Sequence, residues 1–202
     1  MKKIVVFASG EGSNFQVILD NMHSINGKIV ALIVDRECKA VKRAELNNIP
    51  VVRIIKKQCN DRNEFDRQIL KAMAYSEADY FVLAGFMSIL SKEVVKKFPN
   101  RIINIHPSLL PAFPGVNSVQ KALEYGVKYT GCTVHFVDDG VDTGPIIAQR
   151  IVPIIEGYTV RHLTEQVHVV EHDIFPIVVK LLCLDRIKVE GRRVKLLQGE
   201  EI

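Results

Sequence analysis

The chain has 202 residues, 48% of them hydrophobic, and a formal net charge of +4. That length supports one well-buried core and is too short for two ordinary domains with a linker, so a single domain over residues 1–202 is expected. No run approaches the roughly 20 apolar residues that span a bilayer, no signal-peptide pattern follows Met1-Lys2-Lys3, and modest charge without Trp or basic-aromatic interleaving argues against nucleic acid.

These exclusions point to a cytoplasmic protein of small anionic substrates, with neither membrane nor nucleic acid as partner. The cysteines, Cys38, Cys59, Cys132 and Cys183, form no C-x-x-C pair, so a zinc ribbon or redox motif is absent and reduced thiols are expected.

In chain order, the first element is an apolar strand over residues 3–9. It runs into Gly10-Glu11-Gly12-Ser13-Asn14 and then a helix over residues 14–22. Free backbone N–H groups and the helix dipole favour an anion there, although a Gly-rich turn capped by Ser or Asn explains the same residues. The spacing is neither G-x-G-x-x-G nor a P-loop, which leaves a phosphomonoester rather than a dinucleotide or nucleoside triphosphate.

Strands over 28–34, 51–54, 80–84 and 101–105 alternate with helices over 41–48, 62–75 and 91–98, with Asp61 and Ser91 as N-caps. Beyond the Pro-rich loop 107–114 come a helix over 118–125, strands over 129–137 and 145–152, a long helix over 159–184 and a terminal hairpin over 187–197. Continuously apolar strands alternating with helices predict an α/β fold: one doubly wound, mostly parallel sheet with helices on both faces. Ligands then belong beyond the carboxyl ends of the strands.

The run Asn104-Ile105-His106-Pro107-Ser108 lies at such an end. Asn104 and His106, two residues apart on a strand, point the same way and can meet one substrate. Asp142, in the turn Val141-Asp142-Thr143-Gly144-Pro145, is a carboxylate able to hold an imidazole charged where an oxyanion develops. Spacing alone does not bring it to His106, because Asp-Thr-Gly is also an ordinary turn former.

His168-Val169-Val170-Glu171-His172 spells H-x-x-E-H, an inverted zinc-protease motif, on the predicted long helix. A catalytic zinc needs a third protein ligand and a larger scaffold, so no metal is expected and substrate contact is preferred. Arg62, beside Asp61, reads by default as a solvated charge, and Gly85-Phe86-Met87-Ser88-Ile89-Leu90 as either a pocket lining or more core.

Together these runs resemble the folate-dependent phosphoribosylglycinamide formyltransferase family. The likeness rests on Ser9 through Asn14, Leu83-Ala84-Gly85-Phe86-Met87, Asn104 through Pro111 with Ala112-Phe113-Pro114-Gly115, Thr133-Val134-His135-Phe136-Val137, Asp142-Thr143-Gly144-Pro145 and Glu171-His172. It implies a Rossmann-like formyltransferase fold and a reaction between 5-phosphoribosylglycinamide and 10-formyltetrahydrofolate as cosubstrate, with no metal. Asn104, His106 and Asp142 become the catalytic trio. Gly12, Ser13 and Asn14 hold the phosphate, and Glu171, with His168 beside it, the ribose. Arg62, Met87, Ser88, Ile89, Leu90, Asn104, Asp138, Asp139, Gly140, Val141 and Asp142 form the folate side. Family members usually carry Arg where this chain has Ser88, so backbone contacts there survive and a side-chain role is in doubt.

Formyltetrahydrofolate deformylase and methionyl-tRNA formyltransferase share this core but usually carry a further domain, which ranks both lower. A folate- or phosphate-binding module without catalysis is opposed by the intact Asn104, His106 and Asp142. A monomer and a homodimer are both compatible with the sequence.

Overall fold

The computed structural model describes residues 1–197, so the last five positions of the expected domain lie outside the described residues. Its centre is a sheet of seven strands: β1 (Lys2–Ala8), β2 (Gly27–Val34), β3 (Val51–Arg53), β4 (Tyr80–Leu83), β5 (Ile102–His106), β6 (Tyr129–Phe136) and β7 (Ile146–Pro153), in the order β3-β2-β1-β4-β5-β6-β7. The strands from β3 to β5 are parallel, whereas β6 and β7 run antiparallel to their neighbours.

Helices α1 (Ser13–Asp20), α2 (Lys39–Leu46), α3 (Arg62–Ser76), α4 (Lys92–Lys97), α5 (Ser118–Tyr125) and α6 (Val160–Cys183) cover both faces. Strand alternation divides the core accordingly. Ile4, Val6 and Ala8 of β1 pack with residues of α1, α2, α5 and α6, while Val5 and Phe7 pack with residues of α3 and α4. With both faces covered, β1 reads as an unbroken apolar run, which is why the parallel sheet was predictable.

The predicted helices all form, with ends set by local caps. Asp61, Ser91 and Thr159 accept the backbone N–H groups of Glu64, Val94 and His162. Helix α2 begins at Lys39, two residues before the expected start, with Cys38 at its N-cap position. The terminal hairpin is β8 (Ile187–Glu190) with β9 (Arg193–Leu196). No helix among the described residues is long and apolar enough to cross a membrane.

Candidate active site

Strand β5 ends at the carboxyl edge of the sheet between β4 and β6, and that placement builds the site. The antiparallel register puts Asn104 opposite His135 and His106 opposite Thr133. Directly opposed residues project from the same face, so Asn104 Nδ2 lies 3.2 Å from His135 Nε2. His135 Nδ1 lies 2.9 Å from the Phe136 carbonyl oxygen, which makes Nδ1 the donor and leaves Nε2 to accept from Asn104. Burial lowers the His135 pKa, only partly offset by that carbonyl and by Asp142. The 3.7 Å between His135 Nε2 and Asp142 Oδ1 is therefore a contact with a neutral ring rather than an ion pair.

The turn after β6 brings Asp142 back over β5. Asp142 adopts a left-handed backbone (φ 55°), a conformation that Asp tolerates better than most residues. Gly144 follows where a Cβ would fall 1.8 Å from the Phe136 carbonyl oxygen, so only glycine lets the two segments approach this closely. Asp142 Oδ2 sits 3.2 Å from His106 Nδ1 and accepts from Gly115 N–H at 2.8 Å. Its other oxygen is loosely held, with Asn104 Nδ2 3.5 Å away. His106 Nε2 points the opposite way and lies 2.9 Å from the carbonyl oxygen of Phe113. Asn104, His106 and Asp142 are thus one constellation.

The loop before α1 also has the geometry expected of it. Gly12 is left-handed (φ 71°), and a Cβ there would meet Ala40 Cβ at 2.8 Å, so the loop can lie against α2 only with glycine. No side chain caps α1, which leaves first-turn N–H groups at Ser13 and Asn14 free for an anion. Asn14 Nδ2 donates to Glu171 Oε2 at 3.1 Å, and His168 Nδ1 lies 2.8 Å from the same oxygen. Asn14 Oδ1 is buried without a partner among the described residues. The hydrogen bond to Glu171, opposed by burial, raises the His168 pKa.

The H-x-x-E-H segment is therefore an arrangement around one carboxylate. His168 and His172 rings stack 6.0 Å apart, and burial with the neighbouring His168 lowers the His172 pKa. Among the described residues no group of three or more His, Cys, Asp or Glu is placed to hold a metal ion.

The remaining predicted residues line the same edge. Met87 and Ile89 are each 61% exposed, whereas Ser88 and Leu90 are buried. Arg62 corrects its default reading as a free surface charge: Nε lies 2.9 Å from both oxygens of Asp66, and Nη2 donates to the Ile89 carbonyl. Asp138 Oδ1 accepts from Gly140 N–H at 3.1 Å and from Thr143 Oγ1 at 2.6 Å, which closes the turn holding Val141 outward. Asp139 stands 3.7 Å from Lys96 of α4.

The Ser88 hydroxyl turns inward and donates to Asp35 Oδ2 at 2.6 Å, and Arg36 supplies the cation for that carboxylate. Only the Ser88 backbone remains for a ligand. Two participants, His135 and Asp35, were missed by sequence reasoning. The first looks like tolerated core until its cross-strand partner is known, and the second carried no signal.

Comparison with known proteins places this geometry in context. The family described as formyl transferase matches residues 2–179. The phosphoribosylglycinamide formyltransferase of Bacillus subtilis (strain 168) is 40% identical over 185 residues, covering 90% of this chain and 95% of that protein. That of Mycobacterium tuberculosis is 42% identical over 191 residues, covering 94% and 89%. A glycinamide ribonucleotide transformylase 1 from Symbiobacterium toebii superposes with a TM-score of 0.94 at 41% identity, covering 98% of this chain and 95% of that one.

Proposed function

The chain belongs to the formyl transferase family and is a formyl-transferring enzyme, and we propose that it moves the formyl group of 10-formyltetrahydrofolate to the amine of 5-phosphoribosylglycinamide in purine biosynthesis. The observation that carries this reading is the 3.2 Å contact between His106 Nδ1 and Asp142 Oδ2 at the end of β5, beside Asn104. An imidazole so held presents its other nitrogen as a hydrogen-bond donor to an oxygen that becomes negative.

The chemistry follows from these positions. The glycinamide nitrogen attacks the formyl carbon, a C–N bond forms, and the carbonyl electron pair moves to oxygen. His106 Nε2 and the Asn104 amide stabilise that oxyanion, with the substrate oxygen replacing the Phe113 carbonyl at Nε2. Asp142 Oδ2 stays on His106 Nδ1. Its loosely held Oδ1 takes the amine proton, directly or through water, and the proton ends on folate N10 as the C–N10 bond breaks. Hydrogen bonds activate the carbonyl, so no step draws on a metal.

Remote contacts supply orientation. The Gly12, Ser13 and Asn14 loop receives the phosphate. Glu171, Asn14 and His168 offer acceptors and a donor to the ribose hydroxyls, and the buried free Asn14 Oδ1 is an acceptor suited to one of them. Residues 87–90 and 138–142 flank the folate. All these residues lie on one chain, so a monomer or a homodimer would each carry complete sites, in one formyltransferase domain working in the cytoplasm.

The test is to mix the pure protein with both substrates, follow deformylated folate by absorbance, and identify formylated glycinamide ribonucleotide by mass. Transfer dependent on the amine supports the proposal. Formate release that ignores the amine would instead make the protein a deformylase, and binding of both substrates without turnover would make it a binding module.

A further inference from the structure

Asp35 follows β2 at the carboxyl edge of the sheet, its side chain fully buried, and no step above uses it. Arg36 Nε and Nη2 donate to its two oxygens at 3.0 and 3.1 Å, and Ser88 Oγ donates at 2.6 Å. Ser9 stands beside the same carboxylate and favours its charged form. The Ser9 oxygen in turn accepts from Met87 N–H at 2.8 Å. One buried carboxylate therefore grips the segment 87–90 directly at Ser88, and Ser9 beside it holds Met87.

That segment depends on outside support, since residues 87–90 make no backbone–backbone hydrogen bond among the described residues. Its side chains alternate out, in, out, in about a bend at Ser88. With the Met87 N–H on Ser9 and the Ile89 carbonyl on Arg62, the other backbone donors and acceptors of the segment are left for a flat heterocycle carrying complementary groups.

We infer that Asp35 is a positioning residue for the formyl donor, setting the backbone of residues 87–90 to receive the donor's heterocycle. This rests on the reading of that edge as the folate side of the cleft. The choice of residue follows from its neighbours. Arg36 and Ser88 both act as donors, and an ionised carboxylate is an acceptor at every lone pair. An amide at position 35 would turn an NH2 group against one of those donors and loosen the grip. Burial opposes ionisation of Asp35, but Arg36, Ser88 and Ser9 together outweigh it and hold the carboxyl below its ordinary value.

The experiment is steady-state kinetics of Asp35→Asn and Ser88→Ala with each substrate varied in turn, alongside thermal unfolding. Asp35→Asn should raise the KM for 10-formyltetrahydrofolate roughly ten-fold, a larger change than in kcat or in the KM for the amine substrate, and Ser88→Ala should shift the donor KM in the same direction by less. Should Asp35→Asn fail to fold, Ser88→Ala still decides the matter. Folded variants with an unaltered donor KM, or with both KM values rising together, would overturn this inference while wild-type transfer upheld the broader reading. A wild-type enzyme without formyl transfer would instead remove the reading beneath it.

Discussion

His106 is held between two oxygens: Nδ1 lies 3.2 Å from Asp142 Oδ2, and Nε2 lies 2.9 Å from the Phe113 carbonyl. The Phe113 carbonyl can accept only from an Nε2 that carries a hydrogen, while Nδ1 faces the Asp142 carboxylate. The Phe113 carbonyl thus occupies the direction in which a substrate oxygen would sit, and the ring already faces an acceptor there. His106→Ala and Asp142→Asn should each lower turnover by roughly two or more orders of magnitude, because both remove charge stabilisation in the transition state. Circular dichroism should show both variants folded, and near-normal turnover in either would reject the mechanism.

His135 anchors Asn104 rather than reaching the substrate, so its removal should act through kcat. His135→Ala leaves the Asn104 amide without its 3.2 Å partner and held only by the 3.5 Å contact to Asp142. Turnover should fall about ten-fold, the scale of one well-aligned hydrogen bond, with both KM values changing less. A variant with wild-type kcat would show that Asn104 needs no such anchor.

The imidazoles should titrate apart. By NMR, His168 should have its midpoint above the ordinary value of 6.5, because Glu171 hydrogen-bonds its charged form, and His135 and His172 below it, because burial favours their neutral forms. The linkage signs follow. The His168 contribution to stability is fully present below 6.5 and fades as pH rises through its raised folded value. His135 and His172 act oppositely, with stability present above 6.5 and lost as pH falls. Accordingly, the destabilisation caused by His168→Ala, measured by urea unfolding, should be larger at acidic than at alkaline pH. The reverse order would contradict the His168–Glu171 assignment.

Glycine substitutions around the site should separate steric from conformational cost. At Gly131 and Gly144 a Cβ would lie 1.8 Å from a backbone carbonyl oxygen, of Arg150 and Phe136 respectively. Alanine at either position should cost about 1–3 kcal/mol or more, since strand backbone must shift. Gly115→Ala meets nothing within 4 Å and carries only the strain of its positive φ, roughly 1 kcal/mol. Thermal melts showing Gly115→Ala as the most damaging of the three would be inconsistent with this packing.

Glu171→Gln keeps the side chain's shape and removes its charge. The variant should raise the KM for the phosphoribosyl substrate roughly ten-fold, as expected on losing charge-assisted hydrogen bonds, and more than it raises the donor KM. Equal effects on both substrates would place Glu171 outside the ribose subsite.

The parallel strands were legible from their apolar runs, and two caps because Asp61 and Ser91 stand directly before helical periodicity. Asn104 and His106 could be paired from the two-residue period of a strand. The meeting of His106 with Asp142 could not, because it depends on β6 returning antiparallel beside β5, and nothing in the spacing fixes strand order or direction. His135 was hidden by its setting, since a polar ring inside the apolar run of β6 looks like tolerated core until its cross-strand partner is known. Asp35, directly after β2, belongs to no motif that singles it out. Its partners Ser9 and Ser88 become neighbours only because β1 lies between β2 and β4 in the sheet.

The hydrogen bond from Asn14 to Glu171 joins residues 157 positions apart in sequence. During synthesis the first strand and its glycine loop leave the ribosome long before the closing helix is made. A nascent chain halted before α6 would own the anion-binding turn without its carboxylate partner. The pairing of Asn14 with Glu171 can therefore form only after residue 171 has been made, and truncation before it would disable a feature built at the start of the chain.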